Sequence, residues 1–233
     1  RHVLERALSA LAHQAPVFAV AHFVPSLVFP FVNVFGADVQ STVEAVLAFF
    51  LNWGQEFFVL YPHMPVNVAS FVSHTLKAED AALWNHFTSL GVTPEVFVWD
   101  VMVSLYTEVM TKNEWLQFMD HVMANEPVWM FLFHVRWLAQ LRLPILAITD
   151  HSNVVALLRR PTPFDMNVVL QQTYRVQGRY MKTEVSAPYE QLHSFPAEGY
   201  PAHFQNHESV VTTKLEELEL MREHEQQLKG SKV

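Results

Sequence analysis

At 233 residues, 51% of them hydrophobic and only 16% charged, the chain has the length and apolar content to bury a substantial core, which excludes a disordered segment. Its 23 acidic and 15 basic side chains leave a net charge of −8, so it lacks the basic field that holds a phosphate backbone by counterion release, and nucleic acid is not an expected partner. Cysteine is absent, which removes disulfides, thiolate metal sites and thiol nucleophiles together and suits a reducing, cytoplasmic setting.

Apolar residues recur three and four apart and strand alternation is scarce, so the expected class is all-α, a multi-helix fold with a helical extension at its C-terminal end. Leu4, Leu8 and Leu11 make the first stripe. Residues 7–37 contain no Asp, Glu, Lys or Arg, a run long enough to raise the question of a membrane span. Pro16, Pro25 and Pro30 interrupt it, Gln14, His22 and Asn33 are polar, and neither end carries a cluster of Lys or Arg. A buried pair of core helices is the expectation, with no membrane span. The mixed signs of Arg1, Glu5 and Arg6 and the lack of a small-residue cleavage site argue against a signal peptide, and a start at Arg1 suggests a fragment.

Val43, Val46, Leu47, Phe50 and Leu51 form the next stripe, ahead of Trp53, and Val68, Phe71, Val72 and Leu76 follow the break at residues 61–65. Asp80 is placed to cap a short helix carrying Leu83, Trp84 and Phe87, with Gly91 at its end. Thr93, Pro94 and Glu95 predict the opening of a helix that buries Phe97, Val101 and Leu105. Thr111 and Glu114 have the spacing of a capping box in front of Trp115, Phe118 and Met119, and Pro127 begins an apolar helix running through Leu138. Trp53, Trp99 and Trp115 are the expected aromatic anchors of the core. From Pro144 the texture changes: residues 159–163 form a hinge, Asp165 caps a helix with Val168, Val169 and Tyr174, and residues 186–201 are irregular. The charged stretch 208–229 places Val211, Leu215, Leu218, Met221 and Leu228 at helical spacing, the beginning of a coiled coil or else one terminal helix. The expected division is a helical domain over 1–143, a connector over 144–204 and a terminal helix over 205–233.

Thirteen histidines invite metal readings. His203 and His207 are four apart, but no third ligand has recognisable spacing and HExxH is missing, so no metal is expected. Asp150, His151 and Ser152 are a triad only as text, because adjacent side chains diverge; Ser152 is better explained as a helix cap. His74, His86, His121 and His134 sit among apolar residues and suit satisfied core or boundary positions. No phosphate-cradling glycine motif occurs, so neither a bound nucleotide nor another cofactor is expected.

One segment is more specific. Ala15-Pro16-Val17-Phe18-Ala19-Val20-Ala21-His22-Phe23-Val24-Pro25, continuing to Phe29-Pro30-Phe31-Val32-Asn33-Val34-Phe35, resembles without gaps the pattern N-P-x-x-G-Y-x-Q-G-M-N and A-P-x-L of the TBC family, the helical domain of Rab GTPase-activating proteins. The two prolines and the apolar frame are kept. Ala19 stands where the family has Gly, Val20 where it has Tyr, and His22 where it has the glutamine finger. Leu83, His86, Phe87, Gly91, Pro94, Phe97, Trp99, Leu105, Trp115 and Asp120 are similar to the family's later helices, so the likeness spans residues 3–143. The arginine-finger segment is expected upstream of Arg1.

Phe29-Pro30-Phe31-Val32, Asn52-Trp53-Gly54-Gln55 with Phe57-Phe58 and Tyr61-Pro62, and residues 164–169 are further similar to a WD-repeat-containing branch of the family, found at centrosomes, centriolar satellites and cilia. There a WD-repeat region precedes the TBC domain and a coiled coil follows it. Active TBC domains resemble one another in lending a bound Rab an arginine and a glutamine, and an arginine finger in trans contributes roughly 10³ to 10⁵ in rate. The resemblance therefore implies no catalytic residue here, with His22 at the glutamine-finger position. It implies a pseudo-GAP that acts as a scaffold or adaptor for centrosomal, basal-body or ciliary components of the cytoskeleton. The alternative is a Rab-binding or GTPase-activating module. Ala19, Val20, His22, Leu215, Leu218 and Met221 are the candidate partner-binding residues.

Overall fold

The computed structural model describes residues 2–180 and Phe204. Among them no strand occurs, and the all-α expectation holds. Helices α1 (His2–Gln14), α2 (Pro16–Val20), α3 (Val24–Phe35), α4 (Val39–Asn52) and α5 (Gln55–Val59) form the first group, with α1 packed on α2, α3 and α4. Then come α6 (Val66–Glu79) and α7 (Ala81–Ser89), and a π-helical turn, Glu95–Trp99, that runs into the short α8 (Asp100–Met102). The chain continues through α9 (Lys112–Met123), α10 (Pro127–Gln140), α11 (Arg142–Leu146), α12 (His151–Leu158) and α13 (Met166–Tyr180).

Helix ends follow local chemistry. Asp38 accepts from the Ser41 amide at 3.0 Å to cap α4, and Asp80 does the same for α7 through Leu83 at 3.0 Å. Both halves of the capping box form at α9: Glu114 donates its amide to the Thr111 hydroxyl, and the Glu114 carboxylate accepts from the Thr111 amide. Gly91, at φ +66, takes the left-handed position just past α7 that a side chain would strain. The cap of α12 is Asp150, which accepts from the Asn153 amide at 2.9 Å, rather than Ser152, which lies inside the helix. Asp150 precedes the first helical residue, so its carboxylate is the group that faces the free amides.

The core is organised around α10, which is buried on every side from Pro127 to Val135 and again at Trp137 and Leu138. A helix apolar all round must be enclosed by others, and α6, α9 and α13 supply the enclosure. Trp129 and Trp137 are the largest of its fully buried side chains. Of the three expected tryptophan anchors, Trp53 and Trp115 are buried, and their indole N–H groups donate to the Asn125 and Leu105 carbonyls, each at 3.0 Å. Trp99 is only half-buried, wedged edge-on between Phe23 and Phe57.

The helix expected to open at residues 93–95 differs most from its pattern. Phe97, Val101 and Leu105 are buried as their spacing requires, yet Pro94 precedes a π turn rather than an α turn. Leu105 lies beyond the helix, at φ +48, with Tyr106 at +60. The π turn coincides with a side chain reaching its backbone: His134 Nε2 lies 2.6 Å from the Phe97 carbonyl and Nδ1 2.6 Å from the Tyr106 hydroxyl. A carbonyl only accepts, so Nε2 carries the proton and Nδ1 accepts from the tyrosine. The expected burial of residues 7–37 is also corrected in part. Val24, Leu27, Val28 and Phe31 point inward, but Phe29, Val34 and Phe35 are exposed, because an α-helix on the outside of a bundle has a second face.

Candidate functional site

Helix α2 is little more than one turn, begins at Pro16 and receives no side-chain cap from Ala15. Such a helix has no stability of its own, so packing decides its position. Phe18 is driven inward, with ring centroids 5.0 Å from Phe50, 5.2 Å from Phe58 and 5.1 Å from Phe204. Helical geometry then turns the next two residues outward: Ala19 is exposed, and Val20 is 53% exposed. Ala21 returns to the core, His22 faces solvent, and Phe23 packs inward at 5.1 Å from Phe58 and 5.5 Å from Trp99.

The structure thus brings Ala19, Val20 and His22 together on one short exposed segment, the end of α2 and the start of the loop that follows it. His22 rests against Phe23 and Tyr61, each 5.8 Å away between ring centroids. The Tyr61 hydroxyl donates to the Val20 carbonyl at 2.7 Å and ties the end of α2 to residues 41 positions later in the chain. Tyr61 precedes Pro62 through a cis peptide bond.

Beyond the loop the same surface continues along α3. Phe29 is 50% exposed, Val34 44% and Phe35 38%, with Pro25, Ser26 and Asn33 also facing solvent. Phe29, Asn33 and Val34 form one wall of a groove of about 340 Å³, and Thr107, Met110 and Lys112 contribute to the other. Residues 107–110 follow the positive-φ pair Leu105 and Tyr106, whose turn carries that wall to the groove. The result is a mainly apolar surface, with Lys112 the one charged residue lining the groove. Such a surface suits protein contact, since a single-sign charge field is absent and large side chains stand free of the core.

Sequence reasoning missed Phe29, Val34 and Phe35 as surface residues, although Ser26 and Asn33 on the same helix were the signal that one face is open. It also missed Tyr61, whose tie to Val20 is a long-range contact with no local mark. Leu215, Leu218 and Met221 lie outside the described residues, as do His203 and His207. Among the described residues no three of His, Asp and Glu converge as a metal site, and no helix is long and apolar enough to cross a membrane.

The chain is similar to proteins called TBC1 domain family member 31. That of Mus musculus is 32% identical over 174 residues, 75% of this chain, and that of Homo sapiens is 30% identical over the same share. That of Oryzias latipes is 26% identical over 97% of this chain. The relatives are TBC-family proteins. This chain spans only 18%, 16% and 22% of their respective lengths. No family profile matches the chain.

Proposed function

We propose that this chain is the later part of a TBC-type domain that binds partner proteins without accelerating GTP hydrolysis, as an adaptor at centrosomal, basal-body or ciliary structures. The observation that carries the reading is the exposed loop at residues 19–22, with its apolar continuation along α3. The resemblance aligns this loop with the TBC glutamine-finger segment, where His22 stands in place of the glutamine and Ala19 and Val20 in place of the family's Gly and Tyr. The surface around it offers contact area, while the groups that would orient a water are replaced. Members of a catalytic set act as a unit, so the loss of several silences a reaction.

The second reading, a Rab-binding or GTPase-activating module, is favoured by the same exposure of His22, since a nucleotide-bound partner has free access to it. GTP hydrolysis by a panel of Rabs, measured with the wild type, His22→Ala and His22→Gln, separates the two. The adaptor reading expects no stimulation by any of the three proteins. Stimulation by the wild type that His22→Ala abolishes would make His22 a working water-orienting residue and overturn it. Pull-downs against the same panel in both nucleotide states then show whether a Rab is bound at all.

A further inference from the structure

Phe204 is completely buried, although the described chain before it ends at Tyr180 on the last turn of α13. Its ring lies 5.1 Å from Phe18 and 5.3 Å from Phe58. Those two rings pack on each other and on Phe50, at 5.2, 5.0 and 4.9 Å. Phe204 is therefore the fourth ring of a cluster whose other members come from α2, α4 and α5. Three of the four are held by helices that precede it in the chain by well over a hundred residues.

The cluster sits directly beneath the exposed loop. Phe18 is the residue before Ala19, and α2 has neither the length nor the cap to hold its place unaided. Two kinds of contact position it: the aromatic cluster under Phe18, and the Tyr61 hydroxyl on the Val20 carbonyl. We propose that Phe204 is a positioning residue for the loop at 19–22, an anchor by which the later part of this chain docks into an aromatic socket under α2 and fixes the exposed surface. The occupant of the socket is this chain's own Phe204. Any partner that shifts the loop acts on the seating of Phe204, and a pull on the later chain acts on the loop, because coupling between two sites is reciprocal. The anchor operates whether or not the adaptor reading holds.

The test is hydrogen exchange on the full chain as wild type, Phe204→Ala and Phe204→Leu. Amides of residues 16–23 are compared with those of α10, which contributes no ring to this four-membered cluster. Phe204→Ala is expected to speed exchange at 16–23 by about tenfold with α10 unchanged, and Phe204→Leu, which keeps an apolar side chain, to do so by about threefold. A peptide of residues 198–210 added to the Phe204→Ala chain should restore protection, and the same peptide carrying Phe204→Ala should not. Unchanged exchange at 16–23 in both variants overturns the proposal. So does an equal rise across 16–23 and α10, which would make Phe204 a general contributor to stability; if Phe204→Ala does not fold, Phe204→Leu alone decides by the same comparison.

Discussion

His134 is enclosed completely by the aromatic core, with both ring nitrogens committed to the Phe97 carbonyl and the Tyr106 hydroxyl. Burial pushes its imidazole down from an ordinary 6.5 to about 4, against the opposing pull of the Phe97 carbonyl. Burial likewise raises the Tyr106 phenol well above its ordinary value, so both partners stay neutral. The unfolded chain takes up a proton on His134 below pH 6.5 where the folded one does not, so stability is fully present above that value and is lost as the pH falls towards 4. This residue should cost the fold roughly 2 kcal/mol at pH 5 relative to pH 7.5. Urea unfolding at the two pH values, with wild type and His134→Gln, checks it; equal pH slopes in the two proteins would refute it. The sequence grouped His134 with His74, His86 and His121, since all four have apolar neighbours. Only three-dimensional enclosure separates them, and His74 proves to be exposed.

Besides its apolar packing on α10, α13 is tied to α6 and α10 through one shared carboxylate. Glu79, at the end of α6, receives Arg136 from α10, Arg179 of α13 at 3.0 Å and the Tyr180 hydroxyl at 2.7 Å. Burial works to raise the Glu79 carboxyl, but the Tyr180 hydroxyl and the two guanidinium charges outweigh it and hold it below its ordinary value. The Tyr180 phenol is pushed up to about 12 by its own burial and by Glu79. Glu79→Ala leaves Arg136, largely enclosed, without its counter-charge, and should cost roughly 1 to 3 kcal/mol, between the values for exposed and buried pairs. Limited proteolysis should show α13 released first; a variant cleaved in the wild-type order at the wild-type rate would contradict this. Elements whose signals are local were legible: the Thr111 and Glu114 box, the Asp80 cap and Gly91 all lie within a few residues of what they control. The Glu79 junction was not, because its partners are 57, 100 and 101 residues away. The π turn was hidden for a related reason, since its apolar spacing is that of an α-helix and a side chain on α10 meets its backbone.

At the scale of the molecule, periodicity and punctuation carried the helical architecture. They failed to rank the tryptophans, because α10 is apolar on all sides and gives no stripe from which a more buried face can be read. On residues 7–37 the expected pair of core helices is buried on one face only, and the candidate site is the part of that run that faces out. The loop at 19–22 was legible only through its likeness to a family pattern, and its dependence on Tyr61 and Phe204 arises from contacts across the fold. The uncharged α2 and α3 surface has a colloidal consequence for a chain whose net charge is −8. Like charge elsewhere keeps copies apart at low ionic strength, where the Debye length is about 10 Å at 0.1 M salt, and that protection shrinks to about 3 Å at 1 M. Added sodium chloride should therefore make the protein adhere to itself through Phe29, Val34 and Phe35 rather than dissolve it. Light scattering that rises with salt in the wild type and stays flat in Phe29→Asp is the expected result, and equal rises in both would move the adhesive surface elsewhere on the molecule.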